Sequence, residues 1–172
     1  VAAEVEKAKF MAVVLVGGGA RSGKSRWALE RARGCGSRLV YIATAEALDE
    51  EMSERIARHR AERDRAFQTI EEPIELARAI RSAEADALVV DCLTLWLSNV
   101  MMTKAEVDDP LAAAKEKHAQ VIFVTNEVGC GIVPENALAR EFRDRAGVMN
   151  QRFAEAADEV YWMVFGQPLR VK

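Results

Sequence analysis

Cysteine is scarce in this sequence, and the little there is stands badly spaced for building structure. Cys35, Cys92 and Cys130 are odd in number and widely scattered, with no CxxC pair among them. Such a set offers neither a disulfide framework nor a zinc-ligand cluster, and it fits a reducing cytoplasm. Long apolar runs are missing too: none approaches the ~18 residues of a membrane span. There is no excess of basic charge, since 24 Lys and Arg against 27 Asp and Glu leave a formal net charge of −3. Non-specific nucleic-acid binding, which needs basic surfaces, is therefore not expected, and small molecules or other protein chains are the expected partners. Internal repeats, low-complexity stretches and Pro- or Ser-rich linkers are also absent, so nothing marks a domain boundary. The 172 residues read as one domain with a substantial core.

What is present begins at the N-terminus. Lys7 and Lys9 precede an apolar stretch over 10–16 and together mimic a signal peptide. That stretch runs straight into a glycine-rich motif that cleavage would destroy, so the signal reading is rejected. Residues 1–10 read as a polar extension with Met11 as a natural start, and 11–172 as the functional domain.

The motif is Gly18-Gly19-Ala20-Arg21-Ser22-Gly23-Lys24-Ser25, which fits GxxxxGK[ST]. An apolar strand pattern precedes it and a helical pattern over 25–33 follows. Strand, glycine-rich loop and helix start together aim backbone N–H groups at an anion, and the helix dipole adds to the attraction. In this pattern Lys24 reaches the β- and γ-phosphates and the Ser25 hydroxyl ligates magnesium. The chain is expected to handle a nucleoside triphosphate.

Along the chain, strand patterns at 12–16, 38–43, 87–91, 120–125, 159–165 and 168–171 alternate with helical patterns near 25–33, 46–63, 74–83 and 135–157. The alternation predicts an α/β fold of the P-loop NTPase type, a mostly parallel sheet with helices on both faces. Ligands in such folds bind beyond the carboxyl ends of the strands. Asp91 ends one of these strands, where a magnesium-bound carboxylate belongs, although Asp is also a common cap. On a helix over 46–63, Arg55, His59 and Arg63 share one face, with Arg58 and Arg60 beside the imidazole. Neighbouring positive charge would keep His59 neutral and able to attack phosphorus. Charge patterning alone favours a plainer reading, a solvated face laced by Glu51–Arg55 and Glu54–Arg58 pairs. Asn126 and Glu127 follow the fourth strand into a glycine-rich loop, where Glu127 either orients a reacting group or pairs with an arginine. On the long helix Arg140 and Asp144 have the spacing of a plain i,i+4 ion pair, the alternative being that Arg140 or Arg143 reaches phosphates of a neighbouring subunit. His118 reads as an exposed bystander, and Trp27, Trp96 and Trp162 as core or interface residues.

Together these stretches resemble the bifunctional adenosylcobinamide kinase/adenosylcobinamide-phosphate guanylyltransferase family, over most of the chain from Val13 to Lys172. The resemblance rests on the 18–25 loop and on Tyr41-Ile42-Ala43-Thr44 with Asp49, Glu51 and Met52. It continues through Arg55-Ile56, His59-Arg60, Thr69 with Glu71-Glu72-Pro73, and Asp91-Cys92-Leu93-Thr94. Asn126-Glu127-Val128-Gly129, Gly131-Ile132-Val133-Pro134, Phe142-Arg143-Asp144 with Gly147, Asn150 and Gln151, and Gly166-Gln167-Pro168-Leu169 complete it. The resemblance implies phosphorylation of adenosylcobinamide by a nucleoside triphosphate, ATP or GTP. GMP transfer from GTP to the resulting phosphate follows, through a guanylylated His59. It implies nucleotide-binding roles for the whole 18–25 loop, Arg60, Glu71 and Asp91, catalytic roles for Lys24 and His59, and magnesium at Ser25 and Asp91. A homo-oligomer is implied as well, a trimer with shared sites being one form. Asp64 stands where the family has Pro, Phe67 where it has Trp, and Arg58 leaves His59 the only histidine of its helix. The stretch between Asn99 and Gln120 is short for the family's crossover helix. Two alternatives remain at this stage: a P-loop kinase of another small alcohol, and a nucleotide-dependent switch or energy-coupling protein.

Overall fold

The computed structural model describes residues 11–46 and 65–172, together with Glu50 and Glu54, which are helical. The extension 1–10 and most of the helix read over 46–63, His59 and Arg60 included, lie outside the described residues.

The elements are β1 (Val13–Gly18), α1 (Lys24–Arg33), β2 (Leu39–Ala43), β3 (Phe67–Glu71), α2 (Leu76–Ser82) and β4 (Ala87–Asp91). They continue with α3 (Leu93–Thr103), α4 (Pro110–Lys115), β5 (Gln120–Val124), α5 (Ala137–Ala156), β6 (Glu159–Val164) and β7 (Gln167–Arg170). The seven strands form one sheet in the order β3-β2-β4-β5-β1-β6-β7. Every neighbouring pair is parallel except the β6–β7 hairpin.

β1, β2 and β5 are buried along their whole length, as expected of parallel strands covered on both faces. The period of two then divides each strand between two cores. Val13, Leu15, Val40, Ile42, Leu88, Val90, Val121 and Phe123 pack with α2, α3, α4 and α5 on one face. Val14, Val16, Leu39, Tyr41, Val89, Ile122 and Val124 pack on the other with α1, whose Ala28 and Ala32 are fully buried. Small side chains there let α1 lie close on the sheet.

Two regions differ from the sequence expectation. Residues 67–71 form the edge strand β3, which a sequence of Phe-Gln-Thr-Ile-Glu hides because only Phe67 is fully buried. The short stretch after β4 is not merely a curtailed linker: it holds α3 and then α4, whose start is fixed by Asp109 accepting from the Leu111 N–H and by Pro110 at the first turn. Two short helices thus do the work of one long crossover, and β5 still lies parallel to β4.

Candidate active site

Three strand ends converge at the carboxyl edge of the sheet. Asp91 is level with Val124 on β5, and Val124 is level with Val16 on β1, so β5 alone separates the Asp91 strand from the phosphate-loop strand. Asp91 keeps the side-chain phase of Val89 and therefore belongs to the α1 face, where the phosphate loop enters its helix.

The loop is shaped by its backbone. Gly23, immediately before α1, has φ 93°, a left-handed conformation that an L side chain resists. Lys24 is 6% exposed. Its ammonium donates to the Gly19 carbonyl at 2.6 Å and lies 3.4 Å from Ser22 Oγ. Burial pushes its pKa below the ordinary lysine value of 10.5, and the nearby Asp91 and Cys92 partly oppose that shift. A partly desolvated ammonium inside an anion-shaped loop attracts phosphate strongly, because little water screens it.

Asp91 is oriented by its neighbour across the sheet: the Tyr41 hydroxyl donates to Asp91 Oδ2 at 2.8 Å. Behind it, the Cys92 N–H donates to Thr44 Oγ1, and that hydroxyl donates to the Cys92 carbonyl, both at 2.8 Å. Asn99 on α3 donates to the Thr44 carbonyl at 2.8 Å and to that of Pro73 at 3.2 Å. The Cys92 thiol is buried, and burial followed by the Asp91 charge pushes its pKa up to about 12, so it stays protonated.

A second network holds the end of β5. Thr125 Oγ1 donates to Asn150 Oδ1 on α5 at 2.7 Å and lies 3.3 Å from Thr94 Oγ1 on α3. Thr94 Oγ1 accepts from the Asn126 N–H at 2.7 Å, and Asn150 Nδ2 donates to the Asn126 carbonyl at 3.3 Å. The Glu127 N–H then donates to the Gly18 carbonyl at 3.2 Å, joining this loop to the phosphate loop. Glu127 Oε1 accepts from the Gly129 N–H at 2.6 Å.

The structure therefore brings Gly18, Gly19, Ala20, Arg21, Ser22, Gly23, Lys24, Ser25 and Asp91 to one place. Glu71 ends β3 in register with Ala43, which is in register with Asp91. It lies on the same sheet edge two strands from Asp91, on the order of 10 Å away by strand spacing. His59 and Arg60 lie outside the described residues. Tyr41, Thr44, Thr125 and Asn150 were given no role from sequence. Tyr41, Thr44 and Thr125 leave a trace there, a polar residue inside an apolar strand or just past one, whereas Asn150 is one polar residue among many on a long helix.

A family model described as cobinamide kinase / cobinamide phosphate guanyltransferase matches residues 14–171. The chain belongs to this family. Among the relatives of this cobinamide kinase/guanyltransferase family member is the bifunctional adenosylcobalamin biosynthesis protein CobP of Pseudomonas aeruginosa. It is 44% identical, over 92% of this chain and 96% of that protein. The bifunctional adenosylcobalamin biosynthesis protein CobU of Salmonella typhimurium is 41% identical, over 93% of this chain and 99% of its own length. In fold, the chain resembles the flagellar accessory protein FlaH of Methanocaldococcus jannaschii, with TM-score 0.55 and 13% identity over 95% of this chain and 79% of that one. That likeness speaks to architecture alone.

Among the described residues no three of His, Cys, Asp and Glu cluster as a metal cage. The oxygen donors that the loop and β4 supply, Ser25 and Asp91, suit magnesium, which takes few protein ligands and keeps water and phosphate oxygens. No helix among the described residues is long and apolar enough to cross a membrane.

Proposed function

We propose that this family member, acting as one catalytic unit over 11–172, phosphorylates adenosylcobinamide and then guanylylates the product. The observation that carries the reading is the buried Lys24 in a loop closed by a left-handed Gly23, beside the oriented carboxylate of Asp91. In the first reaction the aminopropanol oxygen attacks the γ-phosphorus of ATP or GTP, the β–γ anhydride breaks, and the hydroxyl proton is released. Lys24 and the loop N–H groups hold the phosphates in line and offset the charge on the transferring group. Ser25 and Asp91 would hold magnesium, which supplies further neutralisation of phosphate charge when bound. Glu71 and Arg60 are the remaining nucleotide contacts of this proposal.

In the second reaction a ring nitrogen of His59 attacks the α-phosphorus of GTP and pyrophosphate leaves, forming a phosphoramidate. An oxygen of adenosylcobinamide phosphate then displaces the histidine, giving adenosylcobinamide-GDP and the free imidazole. The arginines that surround His59 in this sequence, Arg55, Arg58, Arg60 and Arg63, support this reading, since like charge favours the neutral ring. A homo-oligomer is part of the same proposal. Ile132, Val133 and Leu138 are exposed apolar side chains around the start of α5, a surface suited to a second copy. The three cysteines are all free thiols, in keeping with a cytoplasmic site of action.

The test pairs two variants. Lys24→Ala is expected to abolish both reactions, whereas His59→Ala is expected to remove only GMP transfer. Intact-mass measurement after incubation with GTP and magnesium should show an acid-labile GMP adduct on the parent and none on His59→Ala. Full guanylyltransferase activity in His59→Ala would sink the covalent step while leaving the kinase reading standing.

A further inference from the structure

The β6–β7 hairpin brings to the phosphate loop a side chain that the mechanism above does not use. Val164 pairs with Gln167, so Phe165 and Gly166 are the central residues of a two-residue turn. Both have positive φ, 50° and 80°. Turns of this kind follow the twist of the flanking strands and favour Asn-Gly or Asp-Gly, because both central residues occupy the left-handed region. Gly166 meets that requirement. Phe165 does not: a bulky side chain at positive φ is an outlier. It is also 99% exposed, so no packing compensates the strain. An aromatic ring held strained and in solvent is a pointer to function.

What faces it is the nucleotide loop. Arg21, Ser22, Gly23, Arg26, Phe165 and Gly166 line an open cavity of about 340 Å³, within the roughly 300–1,000 Å³ of small-molecule sites. The turn closes directly on the loop: a β-carbon added to Gly23 would meet both Gly166 Cα and Arg26 Nη2 at 3.7 Å. The Arg26 guanidinium thus stands between loop and turn, one residue past Ser25. A nucleotide whose terminal phosphates fill the loop must lead its sugar and base out of it. This cavity offers that base an aromatic face and a planar cation, the two surfaces that bind purines by stacking and cation–π attraction.

We propose that Phe165 is the stacking platform for the base of a purine nucleoside triphosphate held by the 18–25 loop, with Arg26 lining the same subsite. The proposal rests on the nucleotide-binding reading of that loop and adds a specificity element to it. Every purine has a π-face, so this subsite accepts adenine and guanine alike.

The experiment is an equilibrium titration of the full chain with ATP and, separately, with inorganic tripolyphosphate, both with magnesium. The proteins compared are the parent, Phe165→Asn and Phe165→Tyr. Asparagine is a residue the turn prefers, so Phe165→Asn is expected to fold at least as stably as the parent. Its affinity for ATP should fall about tenfold, the loss of one base–aromatic stack. Its affinity for tripolyphosphate should not change, and Phe165→Tyr should keep the parent's affinity for ATP. Unchanged ATP affinity in Phe165→Asn would overturn the stacking role. Equal weakening of both ligands would overturn it too, by showing that the turn supports the loop rather than the base. Failure of the parent to bind tripolyphosphate at all would instead reject the phosphate-binding reading of the loop on which the proposal stands.

Discussion

Replacing Asn150 by Ala should loosen the end of β5 by an amount the structure lets one estimate. The change removes two hydrogen bonds, from Thr125 Oγ1 at 2.7 Å and to the Asn126 carbonyl at 3.3 Å. Each such bond is worth about 1 kcal/mol net, and a buried hydroxyl left without its acceptor costs about 1 kcal/mol more. Thr125 is 2% exposed, so water cannot replace Asn150 there without repacking. Against this, Ala is favoured over Asn inside a helix by up to about 0.7 kcal/mol, and Asn150 lies within α5. The balance is a loss of about 2 kcal/mol, which for a domain of this size lowers Tm by about 4–8 °C. Thermal unfolding followed by circular dichroism measures it. Thr125→Val and the double variant complete a cycle, in which the pair should cost about 1 kcal/mol less than the sum of the singles. Strict additivity, or a Tm change under about 2 °C for Asn150→Ala, would refute the claim that this bond holds the strand end.

Two further outcomes follow from the thiols and from the amino edge of the sheet. At pH 8 a thiol reagent should modify the exposed Cys130 promptly and leave Cys92 intact until the protein unfolds; comparable native rates at both would contradict a pKa pushed up to about 12 by burial. Asp86 accepts from the Arg38 side chain and from the backbone N–H groups of Arg38 and Ser37, and these partners hold its pKa below the ordinary 3.8. Its contribution is therefore present above about pH 4 and lost as pH falls through the lowered folded value. Asp86→Asn should melt below the parent at pH 7, with the gap narrowing on acidification, and a gap that does not change with pH would refute the ion-pair origin.

The sheet was legible in the sequence wherever a strand is buried on both faces. Val13 to Val16, Ala87 to Val90 and Val121 to Val124 are unbroken apolar runs, and no helix-period pattern competes for them. β3 escaped because an edge strand buries little: of its five residues only Phe67 is fully inside, so neither a run nor an alternation stands out. α3 escaped for the opposite reason. Leu93-Thr94-Leu95-Trp96-Leu97 is apolar on nearly every side, and such a segment carries no period to distinguish it from a loop entering the core. The phosphate-loop motif was legible because it is local, eight consecutive residues at one strand-to-helix turn. Tyr41 and Asn150 were not, since their partners Asp91 and Thr125 lie 50 and 25 residues away in the chain. Only the fold brings them together.

The strand period also divides the labour at the site. Tyr41 and Asp91 share the α1 face with the phosphate loop, so the buried lysine, the oriented carboxylate and the glycine-rich turn are assembled on one side of the sheet. Thr125 follows Val124 and turns to the opposite face, where Thr94 and Asn150 hold it from α3 and α5. The backbone of 126–127 passes between these two arrangements, tied to Thr94 behind and to Gly18 in front. Strain introduced on the helix face can therefore reach the loop through that short backbone link, alongside the direct pairing of β5 with β1. A family whose relatives carry out two reactions on one large substrate needs a phosphate site that keeps its shape while the other ligands change. A loop braced from the far side of the sheet, by Thr94, Thr125 and Asn150, is a physical means to that end.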